Sequence, residues 1–150
     1  MEMTAAALAV LGASCAIGLS AVGAGFAIGQ SGAAMSGAVT ERPEAFTKSL
    51  IAVVLAEALA IYGLLISFMI IMRLGEIVNA DQAYGAFSAG LAIGLAALGA
   101  GWGIGQSGAA MSGAVTERPE AFTKSLIAVV LAEALAIYGL LISFMIIMQI

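Results

Sequence analysis

The sequence predicts an all-α membrane protein with four transmembrane helices, which form two tandem parallel-repeat helical hairpins. Three observations lead to this fold class. Of the 150 residues, 63% are hydrophobic and only 9% are charged, whereas a soluble domain carries roughly 25% charged residues. Four apolar segments are each longer than the roughly 20 residues that a helix needs to cross a bilayer. Finally, residues 28–72 are identical to residues 104–148.

The four apolar segments follow one another with short polar breaks between them. The first segment lacks a basic start and is too long for a secretory signal, so we interpret it as a retained span. Pro43 and Pro119 lie in the first and third breaks, where a lost helical hydrogen bond does no harm. The predicted spans are residues 4–39, 46–72, 83–115 and 122–150, and the breaks are residues 40–48, 73–82 and 116–124.

The internal repeat has an offset of 76 residues. It divides the chain into a first transmembrane hairpin, residues 1–76, and a second, residues 77–150. Each hairpin contains two spans, an even number, so both hairpins enter the membrane in the same orientation. The repeats are therefore predicted to be parallel rather than inverted.

Basic residues are distributed unequally between the two sides of the predicted membrane. The hairpin loops carry Arg42, Lys48, Arg118 and Lys124, and the central linker carries Arg73. By the positive-inside rule, the loops at residues 40–48 and 116–124 face the cytoplasm and both termini face outward.

The first and third spans are rich in glycine at a helical spacing. Small residues recur every fourth position from Gly25 and Gly29 in the first span, and from Gly101 and Gly105 in the third. Such a stripe lets helices approach closely in lipid, so these glycines are predicted to pack helices against one another. This much glycine indicates crowded helices, as on the inner wall of a ring. The glycine run at residues 99–105 is not a dinucleotide-binding fingerprint, because it follows no strand.

Each of the other two spans has one glutamate near its middle. Glu57 and Glu133 lie in identical stretches, IAVVLAEALAIYG, with apolar residues on both sides. A charged residue at that depth costs at least about 2.5–3.5 kcal/mol on insertion scales, so a functional role is the default interpretation. The alternative is a protonated glutamate that only ties helices together.

Two polar side chains in each hairpin are candidates to bind the glutamates. Counted from the loop, Gln30 and Glu57 differ in depth by about 3 Å, so the amide is predicted to lie opposite the carboxyl group. Gln106 and Glu133 repeat this pairing. Tyr62 and Tyr138 each follow a glutamate by five residues, about 1.4 turns. Each phenol either bends toward that carboxyl group or contacts a neighbouring helix, and interfacial filling is the competing interpretation.

A buried carboxyl group of this kind suits the binding and release of a small cation. Hydrocarbon favours its neutral, protonated form, and a nearby positive charge or access to water would release the proton. The basic residues all lie at the ends of spans, so the chain supplies no such charge at the depth of the glutamates. The sequence therefore predicts a subunit that carries ions past a partner.

These features together resemble the proteolipid of rotary ATPases, the c-ring or K component, in the duplicated four-helix form of V-type and V/A-type complexes. The resemblance covers nearly the whole chain. It rests on the glycine-rich first and third spans, the loop sequence ERPEAF, and the sequence AEALAIYGLLISF around each glutamate.

The resemblance implies a ring of identical subunits in lipid, with no catalytic residue, cofactor or nucleic-acid partner. Each carboxyl group takes up an ion, rides round the ring, and releases it opposite an arginine on a stator subunit. The cytoplasmic loops contact the central stalk, and rotation is coupled to ATP hydrolysis or synthesis. The expected location is the plasma membrane of a prokaryote.

One feature departs from the pattern of many four-helix members, which retain the ion-binding carboxylate in a single hairpin. This chain keeps both, so each subunit is predicted to carry two ions. The sites need not be equivalent, because the upstream helices differ: Phe26 stands where the second hairpin has Trp102.

The expected ion is a proton, with sodium as the alternative. Sodium requires several oxygen ligands, and sodium-binding relatives commonly have hydroxyl or amide side chains one and two positions after the carboxylate. Here those positions are Ala58 and Leu59, and their repeats Ala134 and Leu135. Two other classes of protein remain open: a small four-helix proton-coupled cation antiporter, and a structural glycine-zipper protein.

Overall fold

The protein is all helical over residues 3–150, which the computed structural model describes. Four long helices are joined by two loops and a linker, and each helix is long and apolar enough to cross a membrane. The prediction of an all-α membrane protein with four spans is confirmed. The helices are α1 Met3–Glu41, α2 Phe46–Met72, α3 Ala80–Glu117 and α4 Phe122–Ile147, and short 3-10 turns at Pro43–Ala45 and Pro119–Ala121 precede α2 and α4.

Two helix ends differ from the predicted spans by several residues. Helix α3 begins three residues early, because Asn79 caps it: the Asn79 Oδ1 atom accepts a hydrogen bond of 2.9 Å from the Gln82 amide. The Gln82 Oε1 atom in turn accepts from the Val78 amide at 2.9 Å, so two amides at the helix start are satisfied by side chains. Helix α4 ends three residues before the predicted limit, in a turn that begins at Met148.

Helices α1 and α3 pack against each other along their length and form the centre of the molecule. Glycine allows this close approach. A methyl group at Gly90 would overlap the backbone of Gly12, and one at Gly101 would overlap the backbone of Gly23. The predicted role of Gly101 in helix packing thus has a direct counterpart in the chain.

Helices α2 and α4 pack on the outside of this central pair, and the two hairpins are built alike. In the first, Gly63 of α2 lies against Ala16 and Ser20 of α1. In the second, Gly139 of α4 lies against Ala92 and Ala96 of α3. These residues differ in number by 76, so each outer helix meets its inner helix at the same register.

Basic side chains join the two hairpins at both ends of the bundle. At the loop end, the Lys48 Nζ atom donates a hydrogen bond of 2.8 Å to the carbonyl of Pro119. At the linker end, Arg73 donates to the carbonyls of Ile147 and Ile150 at 2.7 and 3.2 Å. These contacts fix the register between the hairpins, and hence the relative heights of side chains on α2 and α4.

Large apolar side chains cover the outer faces of α2 and α4. Phe68 is 58% exposed and Leu131 is 65% exposed, and similar residues surround both. Continuous apolar surface of this extent is rare on soluble monomers. Lipid is the solvent that suits it, in agreement with four membrane-spanning helices.

Candidate ion-binding site

The two glutamates occupy matching positions in the outer helices. Glu57 is the twelfth residue of α2, and Glu133 is the twelfth of α4. At 1.5 Å per residue each carboxyl-bearing residue lies about 17 Å from the start of its helix. Alanine, valine, leucine and isoleucine surround both positions in sequence, so the helical backbone satisfies its own polar groups and leaves the carboxyl groups as the exceptional polar atoms at this depth.

Glu133 has a hydrogen-bond donor from the other hairpin. The Tyr62 hydroxyl donates to the Glu133 Oε1 atom at 2.9 Å. The bond crosses from α2 to α4, so the tyrosine contacts a neighbouring helix rather than the glutamate that precedes it in sequence. A phenol both donates and accepts, and Tyr62 can therefore stay bonded whichever protonation state Glu133 adopts.

The second glutamate and the second tyrosine are free of such bonds. Glu57 and Tyr138 are exposed, and Tyr138 has 62% of its surface accessible. Within residues 3–150, neither side chain has a hydrogen-bond partner. Glu133 and Tyr62, by contrast, are each partly buried. Identical sequences thus have unequal surroundings, because only one of the two tyrosines meets an opposing glutamate within the chain.

The glutamines also differ between hairpins. The Gln30 Oε1 atom is buried and accepts no hydrogen bond within the described residues. It lies beside Gly105 of α3, where an added methyl group would come within 2.7 Å of it. Gln106 is exposed. Neither amide bonds to a glutamate within residues 3–150, so the Gln–Glu pairing stays a prediction.

A buried amide oxygen without a donor costs about 1–3 kcal/mol. Such an atom needs an explanation, and a proton donor or a cation arriving at this level of the bundle would supply one. We therefore retain Gln30 as a candidate ion-binding residue, placed between the hairpins rather than within the first.

The four stripe glycines fall into two groups. Gly101 and Gly105 meet α1 within the chain, whereas Gly25 and Gly29 have open space where a side chain would begin. The first pair packs helices as predicted. For the second pair, packing stays a prediction that requires another molecule.

One aromatic contact was not identified from the sequence. Phe26 and Trp102 stack face to face across α1 and α3, with ring centroids 4.6 Å apart and planes 6° from parallel. They occupy equivalent positions in the two repeats, one helical turn before Gln30 and Gln106. The equivalence of positions 26 and 102 was visible in the sequence, but no local signal indicates that the two rings touch.

The donor atoms at this level are few. Glu133, Tyr62 and Gln30 supply oxygen atoms from three helices, and within residues 3–150 no cluster of three acidic, histidine or cysteine residues forms a metal centre. Such a set can hold a proton on a carboxyl group and orient it, and it offers few ligands for a larger cation.

Comparison with known proteins places these features in a family. The family model that describes the C-type subunit of ATP synthase matches the chain twice, at residues 11–70 and 87–146. Each match lies within one hairpin, and together they account for most of the chain.

Named relatives agree with this match. The 16 kDa proteolipid of the V-type proton ATPase of Homo sapiens is 34% identical over 135 residues, covering 90% of this chain and 87% of that protein. The K-type subunit of the A-type ATP synthase of Methanocaldococcus jannaschii is 38% identical over 114 residues, covering 76% of this chain and 51% of that protein. The c-type subunit of the V-type proton ATPase of Candida tropicalis is 32% identical over 102 residues, covering 68% of this chain and 64% of that protein.

Proposed function

The chain belongs to the family of C-type ATP synthase subunits, in the duplicated form of V-type proteolipids, and on this premise we propose that it is the ion-translocating rotor subunit of a V/A-type rotary ATPase. It is a non-catalytic integral membrane subunit with four spans. Identical copies form a ring, and each copy carries protons on Glu57 and Glu133. The observation that supports this role most directly is a glutamate at the centre of an apolar helix in each hairpin.

The protonation state of the glutamates couples ion transfer to rotation. While a carboxyl group faces hydrocarbon it stays protonated and neutral, because an ionised group at that depth is costly. An arginine on the stator subunit supplies the positive charge that the chain lacks at this depth. Opposite charge within about 4–6 Å favours the ionised carboxylate, so the proton leaves there and the next one enters on the other side.

The loops at residues 40–48 and 116–124 face the cytoplasm and contact the central stalk in this proposal. Four of the five basic residues lie in these loops, which supports the orientation. We place the complex in the plasma membrane of a prokaryote. Hairpins of residues 1–76 and 77–150 then stand side by side in the same orientation, each contributing one inner and one outer helix to the ring.

Two ions per copy determine the gear ratio of the machine. More ions cross per turn for the same number of ATP molecules, so each ATP is made at a smaller ion gradient. This favours synthesis of ATP over pumping.

ATP-driven acidification of membrane vesicles that contain the whole complex tests the function and the ion together. We expect acidification to stop on treatment with a carbodiimide that modifies protonated buried carboxyl groups, and to proceed equally with or without sodium. The reason is that Ala58, Leu59 and their repeats add no oxygen ligand beside the glutamates.

Two other results would contradict this proposal in different ways. Protection of both glutamates from the carbodiimide by millimolar sodium near neutral pH would replace the proton with sodium and leave the rotor intact. Transport that an imposed gradient drives without ATP, in a preparation of this chain alone, would identify the antiporter instead.

A further inference from the structure

We infer that the two glutamate sites have different origins: Tyr62 of the same chain completes the Glu133 site, whereas Tyr138 of a neighbouring copy completes the Glu57 site. The inference rests on the proposed function, because it names the partner that supplies part of the same site. Its consequence is that the Glu133 site is formed in each chain, and the Glu57 site is formed only between chains.

The repeat predicts the second partner from the first. Tyr62 precedes its partner Glu133 by 71 residues, which is the repeat offset of 76 less the five residues that separate each tyrosine from the glutamate before it. Tyr138 lies in the same sequence context as Tyr62. Its equivalent partner is the glutamate of the hairpin that follows, and the chain has no third hairpin, so this glutamate is Glu57 of another copy.

The exposed residues are the two unmatched halves of such a bond. Tyr138 is exposed on α4 at one side of the molecule, and Glu57 is exposed on α2. Their repeats, Tyr62 and Glu133, are partly buried and bonded to each other. Since the sequences around them are identical, the difference arises from the absence of a next hairpin, and a second copy placed head to tail removes it.

The inner helices show the same unmatched faces independently. A methyl group on any of four glycines of α3 would come within 3 Å of α1, and the equivalent four glycines of α1 meet no atom within 4 Å. The occupied positions are Gly94, Gly101, Gly105 and Gly108, and the open ones are Gly18, Gly25, Gly29 and Gly32. The open stripe on α1 therefore has the shape that α3 of a neighbouring copy fits, by the contact already present inside the chain.

The aromatic stack follows the same rule. Phe26 of α1 lies on one face of Trp102, and Trp102 remains 57% exposed. Adding the offset of 76 to this contact places Trp102 against Phe26 of the next copy. Similarly, Gln30 lies beside Gly105 within the chain, so Gln106 lies beside Gly29 of the next copy, and the Glu57 site gains the same three oxygen-bearing residues as the Glu133 site.

Chemical crosslinking in intact rings separates bonds within a chain from bonds between chains. The single native cysteine is first removed by Cys15→Ala. Paired substitutions Glu57→Cys and Tyr138→Cys are then bridged with phenylenedimaleimide, and the denatured products are separated by mass. We expect a ladder of dimers and larger species. The matched pair Tyr62→Cys and Glu133→Cys is expected to give a bridged monomer of unchanged mass.

A bridged monomer from the first pair would overturn the inference, as would failure of that pair to crosslink when the control pair does. This readout does not depend on transport. A loss of the proposed function would instead show as carbodiimide labelling that leaves ATP-driven transport unaffected, with either crosslinking pattern.

Conservative tyrosine variants give a second readout in rings that keep both glutamates. Tyr138→Phe is expected to change the rate of carbodiimide labelling at Glu57, and Tyr62→Phe that at Glu133, each by about two- to tenfold for one hydrogen bond lost. Peptide mapping assigns the label to each glutamate. The inference fails if Tyr138→Phe leaves labelling of Glu57 unchanged while Tyr62→Phe changes that of Glu133.

Discussion

Glu133→Gln is expected to abolish ATP-driven proton transport while the ring still assembles. Glutamine fills nearly the same volume, and its amide oxygen accepts the hydrogen bond that Tyr62 donates to Glu133. It cannot ionise, however, so a site that carries it neither releases a proton at the stator nor takes one up. Every site must pass the stator in each turn, and one inactive site per copy therefore stops rotation. Vesicle acidification measures the loss, and ring recovery from detergent measures assembly.

Glu57→Gln is expected to have the same effect, because its site serves the same cycle. Glu120→Gln is the matched control: this carboxylate is exposed in the loop before α4, outside the membrane, and its loss should leave transport near the native rate. Native transport by either site variant would show that one glutamate per chain is enough. Loss of the ring in both would indicate that the glutamates only tie helices together.

Leucine substitutions at two equivalent glycines are expected to fail at different stages of assembly. At Gly105 an added Cβ atom would lie 2.7 Å from the Gln30 Oε1 atom and 3.2 Å from the Ala27 Cα atom. A leucine there must separate α1 from α3 inside the chain, at a cost of about 1–3 kcal/mol or more. Gly29 has open space within the chain, so Gly29→Leu should fold and fail only when copies associate.

Yield of folded chain and ring recovery in mild detergent distinguish the two outcomes. Gly105→Leu should lower both, and Gly29→Leu only the second. Gly75→Leu provides the control, because Gly75 lies in the linker with no atom within 4 Å of an added Cβ and the structure has no glycine with positive φ within residues 3–150. Normal rings from Gly29→Leu would show that this stripe faces lipid or a cavity.

The helices and the depth of the glutamates were predictable because both depend on local sequence. Long apolar runs fix the spans, and counting from the ends of a run places Glu57 and Glu133 near its middle. The start of α3 was missed for a reason that is also local: Asn79 and Gln82 belong to a polar segment assigned to the linker, and their reciprocal hydrogen bonds with the backbone extend the helix into it.

The pairing of side chains between hairpins was not predictable in the same way. Tyr62 and Tyr138 have identical neighbours in sequence, yet only Tyr62 meets a glutamate inside the chain. Gly25 and Gly101 share one pattern, yet only Gly101 is packed. These differences depend on which hairpin follows in space, and a local pattern carries no information about that when the two repeats are the same.

The central claim is a ring whose every chain carries two working carboxyl groups, and native mass measurement of the intact ring after carbodiimide treatment tests it most directly. The mass of the unlabelled ring gives the number of chains, and the added mass gives the number of modified carboxyl groups. The account predicts a large closed ring with two adducts per chain, on Glu57 and Glu133. A ring with one adduct per chain at every pH, or a dimer in place of a ring, would contradict it.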